Sequence, residues 1–178
     1  MVKLFIDPSY DVKSPTRDYG NAGIDFYIPN FNETFLKEFM AKNNFASIVS
    51  HFEGDEEKYF ISIPAHRDAN IPSGIRSFIP KNVALEANNK SGIASKKKLV
   101  YGASVVDANY TGIIHCHVIN TSPSEVRLEL GTKIVQFIPR IIDADPIVVD
   151  NSGDLEKFYE GFEFNNRGDG AFGSTGLK

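Results

Sequence analysis

Residues 99–119, LVYGASVVDANYTGIIHCHVI, contain two β-branched runs on either side of a polar turn. The first run, Leu99–Val106, and the second, Ile113–Ile119, are rich in the residue types that strands favour. The segment between them, 107–112, carries Asp, Asn and Gly, which are the common turn formers. The stretch therefore predicts two strands joined by a tight connection.

The same pattern extends over most of the chain. Runs of β-branched and aromatic residues are separated by Gly, Pro, Asn and Asp at intervals of about 8–12 residues, which is typical of a sandwich or barrel. Long helices do not alternate with these runs, which argues against a doubly wound parallel sheet. Further strands are predicted at Val2–Ile6, Ile24–Ile28, Lys58–Ile63, Ile75–Ile79, Val83–Ala87, Val126–Leu130, Lys133–Ile138 and Pro146–Val149.

One segment, Asn30–Ala46, has helical spacing instead. Asn30 followed by Glu33 has the form of a capping box. Apolar residues then recur on one predicted face, at Phe31, Phe35, Leu36, Phe39 and Met40. We predict an amphipathic helix followed by an acidic loop, Glu53–Glu57. A surface elaboration explains this region, and a helix that binds a protein partner is the alternative.

The overall composition bounds the class of protein. The 178 residues suit a single domain, and the net charge of −4 argues against a protein that coats nucleic acid. The apolar run within Met1–Pro8 is too short for a signal peptide, and no stretch approaches the ~20 apolar residues of a membrane span. A single cysteine, Cys116, excludes an intrachain disulfide. We therefore expect a reducing intracellular compartment, such as the cytoplasm or an infected host cell.

The end of the chain differs in composition from the rest. A turn-rich break near residue 150 separates the predicted β domain, 1–150, from a terminal segment, 151–178. Residues 165–176 are rich in glycine and hold one arginine, one phenylalanine and two hydroxyl side chains. This composition cannot form a core of its own, but it suits a segment that closes over an anionic ligand with a ring to stack.

Five glycine-containing polar segments, taken in order, resemble the five motifs of the trimeric dUTP pyrophosphatase family. They are Ala22–Phe26, Lys90–Ala94, Gly102–Gly112, Gly131–Gln136 and Arg167–Gly176. The resemblance implies a mostly antiparallel jelly-roll β barrel, interrupted here by a helical insertion at about 30–57. It also implies a homotrimer whose three active sites each use motifs from all three subunits. The flexible C-terminal arm, 151–178, would close over a neighbouring subunit's site.

The implied reaction is hydrolysis of dUTP to dUMP and pyrophosphate, which keeps uracil out of DNA and supplies dUMP for dTMP synthesis. By resemblance, Asp107 is the general base that activates a water for attack on the α-phosphorus. Gln136 would hold that water or an α-phosphate oxygen. Asp25 would support the catalytic assembly and a solvated Mg²⁺ that the triphosphate chiefly holds, with no direct protein ligand.

The remaining implied residues bind the substrate. Tyr110 would pack on the deoxyribose and exclude a 2′-hydroxyl, and Phe172 would stack on the uracil. The third motif, Gly102–Gly112, would form a connection that includes Ser104 and Val106 and reads the edge of the base through its backbone. Phosphate contacts would come from Lys90, Ser91, Gly92, Arg167, Ser174 and Thr175.

Three residues depart from the family pattern. Lys90 replaces the usual arginine, and lysine keeps the charge but loses the planar bidentate fork. We expect altered phosphate binding from this change, with activity retained. Asn109 replaces a common aspartate that is not the base, and Ser104 replaces a common glycine in the base-reading connection.

Three other functions are alternatives to this reaction. A dCTP deaminase shares the fold, but its glutamate would align with His117, and Ile113–Asn120 contains no carboxylate. A metal protein would use His115 and His117, which lie on one face of a strand, with Cys116 on the other. A nucleotide-dependent regulatory module is the third, and nothing in the sequence excludes it as a second role. Nucleic acid and membranes are not expected partners.

Overall fold

The computed structural model describes residues 1–108 and 110–142, and this part of the chain is mostly β-structure. Helix α1 spans Glu33–Lys42 and helix α2 spans Ser91–Lys97. The strands are β1 Lys3–Ile6, β2 Ile24–Tyr27, β3 Ser47–Glu53, β4 Glu56–Ile63, β5 Asp68–Pro72, β6 Ile75–Phe78, β7 Val83–Asn89, β8 Leu99–Tyr101, β9 Val105–Val106, β10 His115–Asn120, β11 Val126–Glu129 and β12 Lys133–Ile141.

The strands form four small sheets, and the described pairings are antiparallel. The largest sheet has the order β2-β12-β7-β9, so that the long strand β12 lies between β2 and β7. A second sheet, β5-β10-β8, carries the histidine-rich strand β10 at its centre. Sheets β11-β4-β3 and β1-β6 complete the arrangement.

Alternation of side chains along the strands builds the core. In β10, His115, His117 and Ile119 are partly exposed while Cys116, Val118 and Asn120 are buried. Phe26 of β2 packs on Phe137 of β12, with ring centroids 4.6 Å apart. Burial raises the pKa of the Cys116 thiol to about 12, so this cysteine stays protonated and behaves as an apolar core residue.

The inserted helix is present but shorter than predicted. Its N-cap is Asn32, whose side-chain oxygen accepts a 2.8 Å hydrogen bond from the Phe35 N–H, and not Asn30. Asn30 instead donates its side-chain amide to Asp11. The helix ends at Lys42, four residues before Ala46, because Asn43 turns away to pair with Asn70 at the edge of β5. The predicted bounds of 30–46 were therefore wrong at both ends.

The apolar face of α1 is used within the chain. Phe35 and Phe39 are fully buried, and the helix packs on β5. Phe31 lies before the helix and stacks on Tyr59 of β4, with centroids 4.1 Å apart. Met40 is exposed. This packing accounts for most of the apolar stripe without a protein partner.

The predicted acidic loop is the tip of a β-hairpin. Glu53 ends β3 and Glu56 begins β4, with only Gly54 and Asp55 in the turn. Gly54 has φ +63°, which glycine adopts without steric cost in such two-residue turns. Strand β3 was not predicted from the sequence, because it lies at the sheet edge and most of its side chains are exposed, so apolar alternation is weak.

Three further differences bear on the site. The predicted strand Leu99–Val106 is two strands, because residues 102–104 leave the sheet between β8 and β9. Helix α2 and strand β5 were not predicted. The expected strand Pro146–Val149 and the boundary near 150 lie outside the described residues. Within the described ranges, neither helix has the length and apolarity needed to cross a membrane.

Candidate active site

A cationic cavity of about 300 Å³ lies where β7 ends and α2 begins. It is lined by Lys90, Ser91, Gly92, Ile93, Lys133 and Gln136. Strand β12 supplies Lys133 and Gln136, and Gln136 pairs in register with Asp25 of the neighbouring β2. The antiparallel sheet thus brings together residues from three separate segments of the sequence.

Asp25 joins the two lysines of this cavity. Its carboxylate oxygens lie 2.5 Å from Lys90 Nζ and 2.9 Å from Lys133 Nζ, and its side chain is only 12% exposed. Burial by itself raises the pKa of Asp25, but hydrogen bonds and charge attraction from Lys90 and Lys133 outweigh it and hold the pKa below its ordinary value. The same contact raises the pKa of Lys133, so both partners stay charged near neutral pH.

This ion triplet predicts a pH-dependent stability. Because the folded-state pKa of Asp25 is lowered, its contribution is present above the unfolded-state pKa and is lost as the pH falls through the folded-state value. We expect Asp25→Asn to lower the free energy of unfolding by about 1–3 kcal/mol near pH 7. The difference from the native chain should shrink below about pH 4. Urea denaturation at several pH values measures it, and a pH-independent difference would contradict this account.

Gln136 is held in place by close packing. Its Nε2 donates to the Asn89 backbone carbonyl at 3.2 Å. A Cβ atom on Gly23 would lie 2.8 Å from Gln136 Cβ and Oε1, so only glycine lets the segment before β2 pass this closely. The glycine of the first sequence segment therefore positions a side chain of the fourth.

A second, more apolar cavity of about 190 Å³ lies beside the connection that follows β8. It is lined by Ala103, Val105, Val106, Asp107, Tyr110, Ile114, His115 and Phe137. The Tyr110 hydroxyl donates to the Ile113 carbonyl at 2.7 Å, which fixes the ring at the cavity. A Cβ on Gly112 would lie 2.7 Å from that hydroxyl oxygen, so any larger residue there would displace the tyrosine ring.

The backbone positions of Asp107 and Gln136 lie on opposite sides of β7 and toward different ends of it. Val106 pairs with Leu85 near the start of β7, whereas Gln136 pairs with Asn88 near its end, on the other side of the strand. With ~3.3 Å per residue and ~4.8 Å between strands, the backbone positions of Asp107 and Gln136 are about 16 Å apart. Within one chain, the side chains of Asp107 and Gln136 therefore cannot both contact the same water molecule or phosphate group.

Comparison with known proteins identifies the family. The dUTPase family profile matches residues 57–176, about two thirds of the chain. The chain belongs to the dUTPase family. A deoxyuridine 5′-triphosphate nucleotidohydrolase of Arabidopsis thaliana is 33% identical over 116 residues, which span 65% of this chain and 64% of the relative. The matched segment thus covers slightly less than two thirds of that relative's length.

Solved structures confirm the dUTPase fold. The Staphylococcus bacteriophage 80alpha dUTPase with dUPNHPP superimposes with a TM-score of 0.70 at 16% identity, covering 99% of both chains. A mutant dUTPase from phage phi11 of Staphylococcus aureus, described with a structural Mg(II) ion, gives a TM-score of 0.62 at 14% identity. It covers 86% of this chain and 99% of that one. The mostly antiparallel jelly roll expected from the sequence is the fold of this dUTPase-family chain.

The segment Ala22–Phe26 lies outside the residues that the dUTPase profile matches. The insertion of α1 and β3 separates it from the matched residues, which begin at the second residue of β4. In the structure it nevertheless pairs with β12 and delivers Asp25 to the cationic cavity. The resemblance of this segment to the first dUTPase motif thus has a structural counterpart.

The predicted site residues fall into four groups. Asp25, Lys90, Ser91, Gly92 and Gln136 meet at the cationic cavity. Val106, Asp107 and Tyr110 line the apolar cavity. Ser104 fastens the connection to β7 instead, because its carbonyl accepts a 2.7 Å hydrogen bond from the Ala87 N–H. Asn109 and the arm residues Arg167, Phe172, Ser174 and Thr175 lie outside the described residues.

Lys133 was not predicted as a site residue of this dUTPase-family chain. Positions 133 and 136 of a regular strand point to opposite faces. A register shift between Lys133 and Val135 adds one residue to β12, so that Lys133 and Gln136 reach the same cavity. The bulge is not visible in the sequence, although Lys133 lies within the fourth motif.

The paired histidines of β10 engage carboxylates. His117 Nε2 lies 2.9 Å from Asp68 Oδ2, and His115 Nε2 lies 3.1 Å from Glu38 Oε1 of α1. Both rings are on one face, and Cys116 is buried on the other, as the strand pattern predicts. His117 is therefore hydrogen-bonded to a carboxylate, whereas His115 lies within ion-pair distance of Glu38 and hydrogen-bonds the Ile113 carbonyl through Nδ1.

Proposed function

We propose that the chain hydrolyses dUTP to dUMP and pyrophosphate, with Asp107 as the general base. The observation that carries this proposal is the pair of cavities: a cationic one bearing two lysines, and an apolar one bearing a single carboxylate beside a tyrosine. A triphosphate matches the first cavity, and a pyrimidine deoxyriboside matches the second. The Arabidopsis relative bears the name of this activity, and the phage 80alpha structure contains dUPNHPP.

Asp107 takes the proton from the attacking water. Its carboxylate is exposed at the wall of the apolar cavity, next to Val106 and Tyr110. A carboxylate in hydrogen-bond reach of the water raises its nucleophilicity as attack on the α-phosphorus proceeds. Gln136 orients the water or an α-phosphate oxygen through its side-chain amide.

The cationic cavity stabilises the leaving pyrophosphate. Lys90 and Lys133 contribute positive charge, and Ser91 contributes a hydroxyl at the start of α2. Charge-assisted contacts of this type are the stronger ones and favour a transition state with growing negative charge on the leaving oxygens. Lys90 provides a point charge where an arginine would provide a fork, so the geometry of the phosphate contacts differs from a bidentate one.

Magnesium fits this site as an ion that arrives with the triphosphate. Within residues 1–108 and 110–142, no group of three or more His, Cys, Asp or Glu side chains is arranged to hold a metal ion. Asp25 is the carboxylate at the cationic cavity, and both its oxygens are engaged by lysines. Mg²⁺ retains most of its waters, so Asp25 would hold it through water while the ion neutralises phosphate charge.

The functional unit is proposed to be a homotrimer. Asp107 and Gln136 of one chain lie about 16 Å apart in backbone position, which is too far for both to act on one water. A site assembled from the apolar cavity of one copy and the cationic cavity of another removes this conflict. The closed three-fold arrangement that the family resemblance implies would form three such sites.

Tyr110 is proposed to select the deoxyribose by excluding a 2′-hydroxyl. We expect Tyr110→Phe, which loses the hydrogen bond to the Ile113 carbonyl, to let the ring move and to lower the preference for dUTP over UTP by about three- to tenfold. The ratio of kcat/KM for the two nucleotides measures this effect. Tyr19→Phe, a fully exposed tyrosine, is the matched control. An unchanged ratio in Tyr110→Phe would show that the hydroxyl does not fix the selecting ring.

The position of attack tests the proposed reaction. Hydrolysis with Mg²⁺ in ¹⁸O-labelled water is expected to place the label in dUMP and to yield unlabelled pyrophosphate, because water attacks the α-phosphorus. Chelation of the metal should suppress turnover. Label in pyrophosphate, or release of dUDP and phosphate, would contradict the mechanism.

We also propose that the chain resides in a reducing compartment. The thiol of Cys116 does not distinguish one compartment from another, because a buried thiol reacts slowly in any redox environment.

A further inference from the structure

His117 fastens the connection that forms one wall of the apolar cavity. Its backbone carbonyl accepts from the Gly102 N–H at 3.0 Å, and its ring Nδ1 accepts from the Ala103 N–H at 3.0 Å. Ala103 is itself a lining residue of the cavity, and Val105 and Val106 follow directly. His117 therefore holds the first two residues of this wall by both its main chain and its side chain.

The hydrogen bonds of the His117 ring define its orientation and its tautomer. Because Nδ1 accepts a hydrogen bond from a backbone N–H, it carries no hydrogen, and the hydrogen of the neutral ring lies on Nε2. Nε2 lies 2.9 Å from Asp68 Oδ2 of the neighbouring strand β5 and donates to it. Asp68, His117 and the Ala103 N–H thus form a chain of two hydrogen bonds that ends at the cavity wall.

The backbone at Gly102 passes in close contact with this ring. A Cβ at Gly102 would lie 2.0 Å from His117 Nδ1, so the approach is closed to any residue with a side chain. At the far end of the short connection, the Ser104 carbonyl binds the Ala87 N–H and β9 pairs with β7. The segment between is anchored at both ends, with His117 as its only side-chain anchor among the described hydrogen bonds.

We propose that His117, oriented by Asp68, is a positioning residue that sets the base-reading wall of the nucleotide site. This inference rests on the proposed function, because it assumes that the apolar cavity receives uracil. His117 is not among the lining residues of the apolar cavity, but it lines an adjoining cavity that shares Ala103, Tyr110 and His115 with it. It acts on the base through the backbone of residues 102–106 and not by direct contact.

Loss of the ring acceptor is expected to weaken binding and base selection more than turnover. In His117→Leu, the Ala103 N–H loses its acceptor, and we expect KM for dUTP and Kd for dUMP to rise by about tenfold. The preference for dUTP over dCTP should fall by a similar factor, while kcat changes by less than about threefold. His117→Asn should remain close to the native enzyme, because asparagine Oδ1 takes the place of Nδ1 as the acceptor.

Two further variants keep the test decisive. Asp68→Ala removes the orienting carboxylate from a half-exposed position and is expected to raise KM in the same direction by about threefold. His51→Leu makes the same chemical change as His117→Leu on the exposed hairpin strand β3 and should leave KM unchanged. Thermal unfolding of each variant shows whether it folds. If His117→Leu does not fold, the KM of Asp68→Ala tests the positioning role instead.

The readouts separate this inference from the proposed function. Native chain that neither hydrolyses dUTP nor binds dUMP in a calorimeter would overturn the proposed function. If the native chain hydrolyses dUTP and binds dUMP, but His117→Leu has unchanged KM, Kd and base preference, the positioning role alone is overturned. Equal impairment of His117→Asn and His117→Leu would also overturn it, because packing and not the acceptor would then be responsible.

Discussion

Replacing Asp107 with asparagine is expected to lower kcat for dUTP hydrolysis by ~10²–10⁴-fold while nucleotide binding is retained. Asparagine has nearly the same shape as aspartate but cannot take a proton from the attacking water. Asp107 is exposed and its side chain makes no described hydrogen bond or ion pair that stabilises the fold, so folding should be unaffected. Steady-state pyrophosphate release gives kcat, and calorimetry with dUMP gives Kd.

The matched control is Asp55→Asn, which makes the same change in the exposed turn between β3 and β4. It should have native kcat and Kd. Native turnover in Asp107→Asn would show that another group is the base. Loss of dUMP binding together with turnover would show that Asp107 shapes the pocket and does not activate water.

Two inactive variants are expected to restore activity when they assemble together. Asp107→Asn disables the apolar cavity and Gln136→Leu disables the cationic cavity, and the two groups lie far apart within one chain. If each site takes Asp107 from one copy and Gln136 from the next, a trimer that contains both variants has about a third of its sites with both native residues. Coexpression of two differently tagged variants, followed by purification through both tags, isolates these mixed trimers and measures the recovery.

The control is coexpression of two differently tagged copies of Asp107→Asn, which should recover nothing. Absence of recovery in the mixed assembly would contradict a site shared between copies, and so would a monomer in light scattering. Full native activity is not expected, because any mixed trimer has only one site in three with both native residues. The expected value near a third of native activity is therefore specific to the shared site in a trimer.

The strands that alternate clearly were predictable from the sequence. β10 and β12 combine β-branched residues with alternating burial, and both were placed to within a few residues. β3 and β5 were missed because edge position and neighbouring polar residues weaken the apolar pattern. Helix α1 was recognised from its aromatic spacing, but its cap was misplaced, since Asn30 and Asn32 are equally good caps in isolation and only tertiary contacts distinguish them.

The candidate site could be predicted in its residues but not in its geometry. The motif resemblance named Asp25, Lys90 and Gln136, which the sheet brings to one cavity. It could not give Lys133, whose direction depends on a bulge in β12. Nor could it give the role of His117, because the contact with Ala103 joins residues 14 positions apart through the pairing of strands.

The most direct test of the central claim is pyrophosphate release by the full chain with Mg²⁺, comparing dUTP with dCTP, dTTP and UTP. The account predicts that kcat/KM for dUTP exceeds that for each of the others by at least about a hundredfold. The apolar cavity would read the base, and Tyr110 would reject the ribose. Equal hydrolysis of all four nucleotides, or intact dUTP, would contradict a dUTP-specific site.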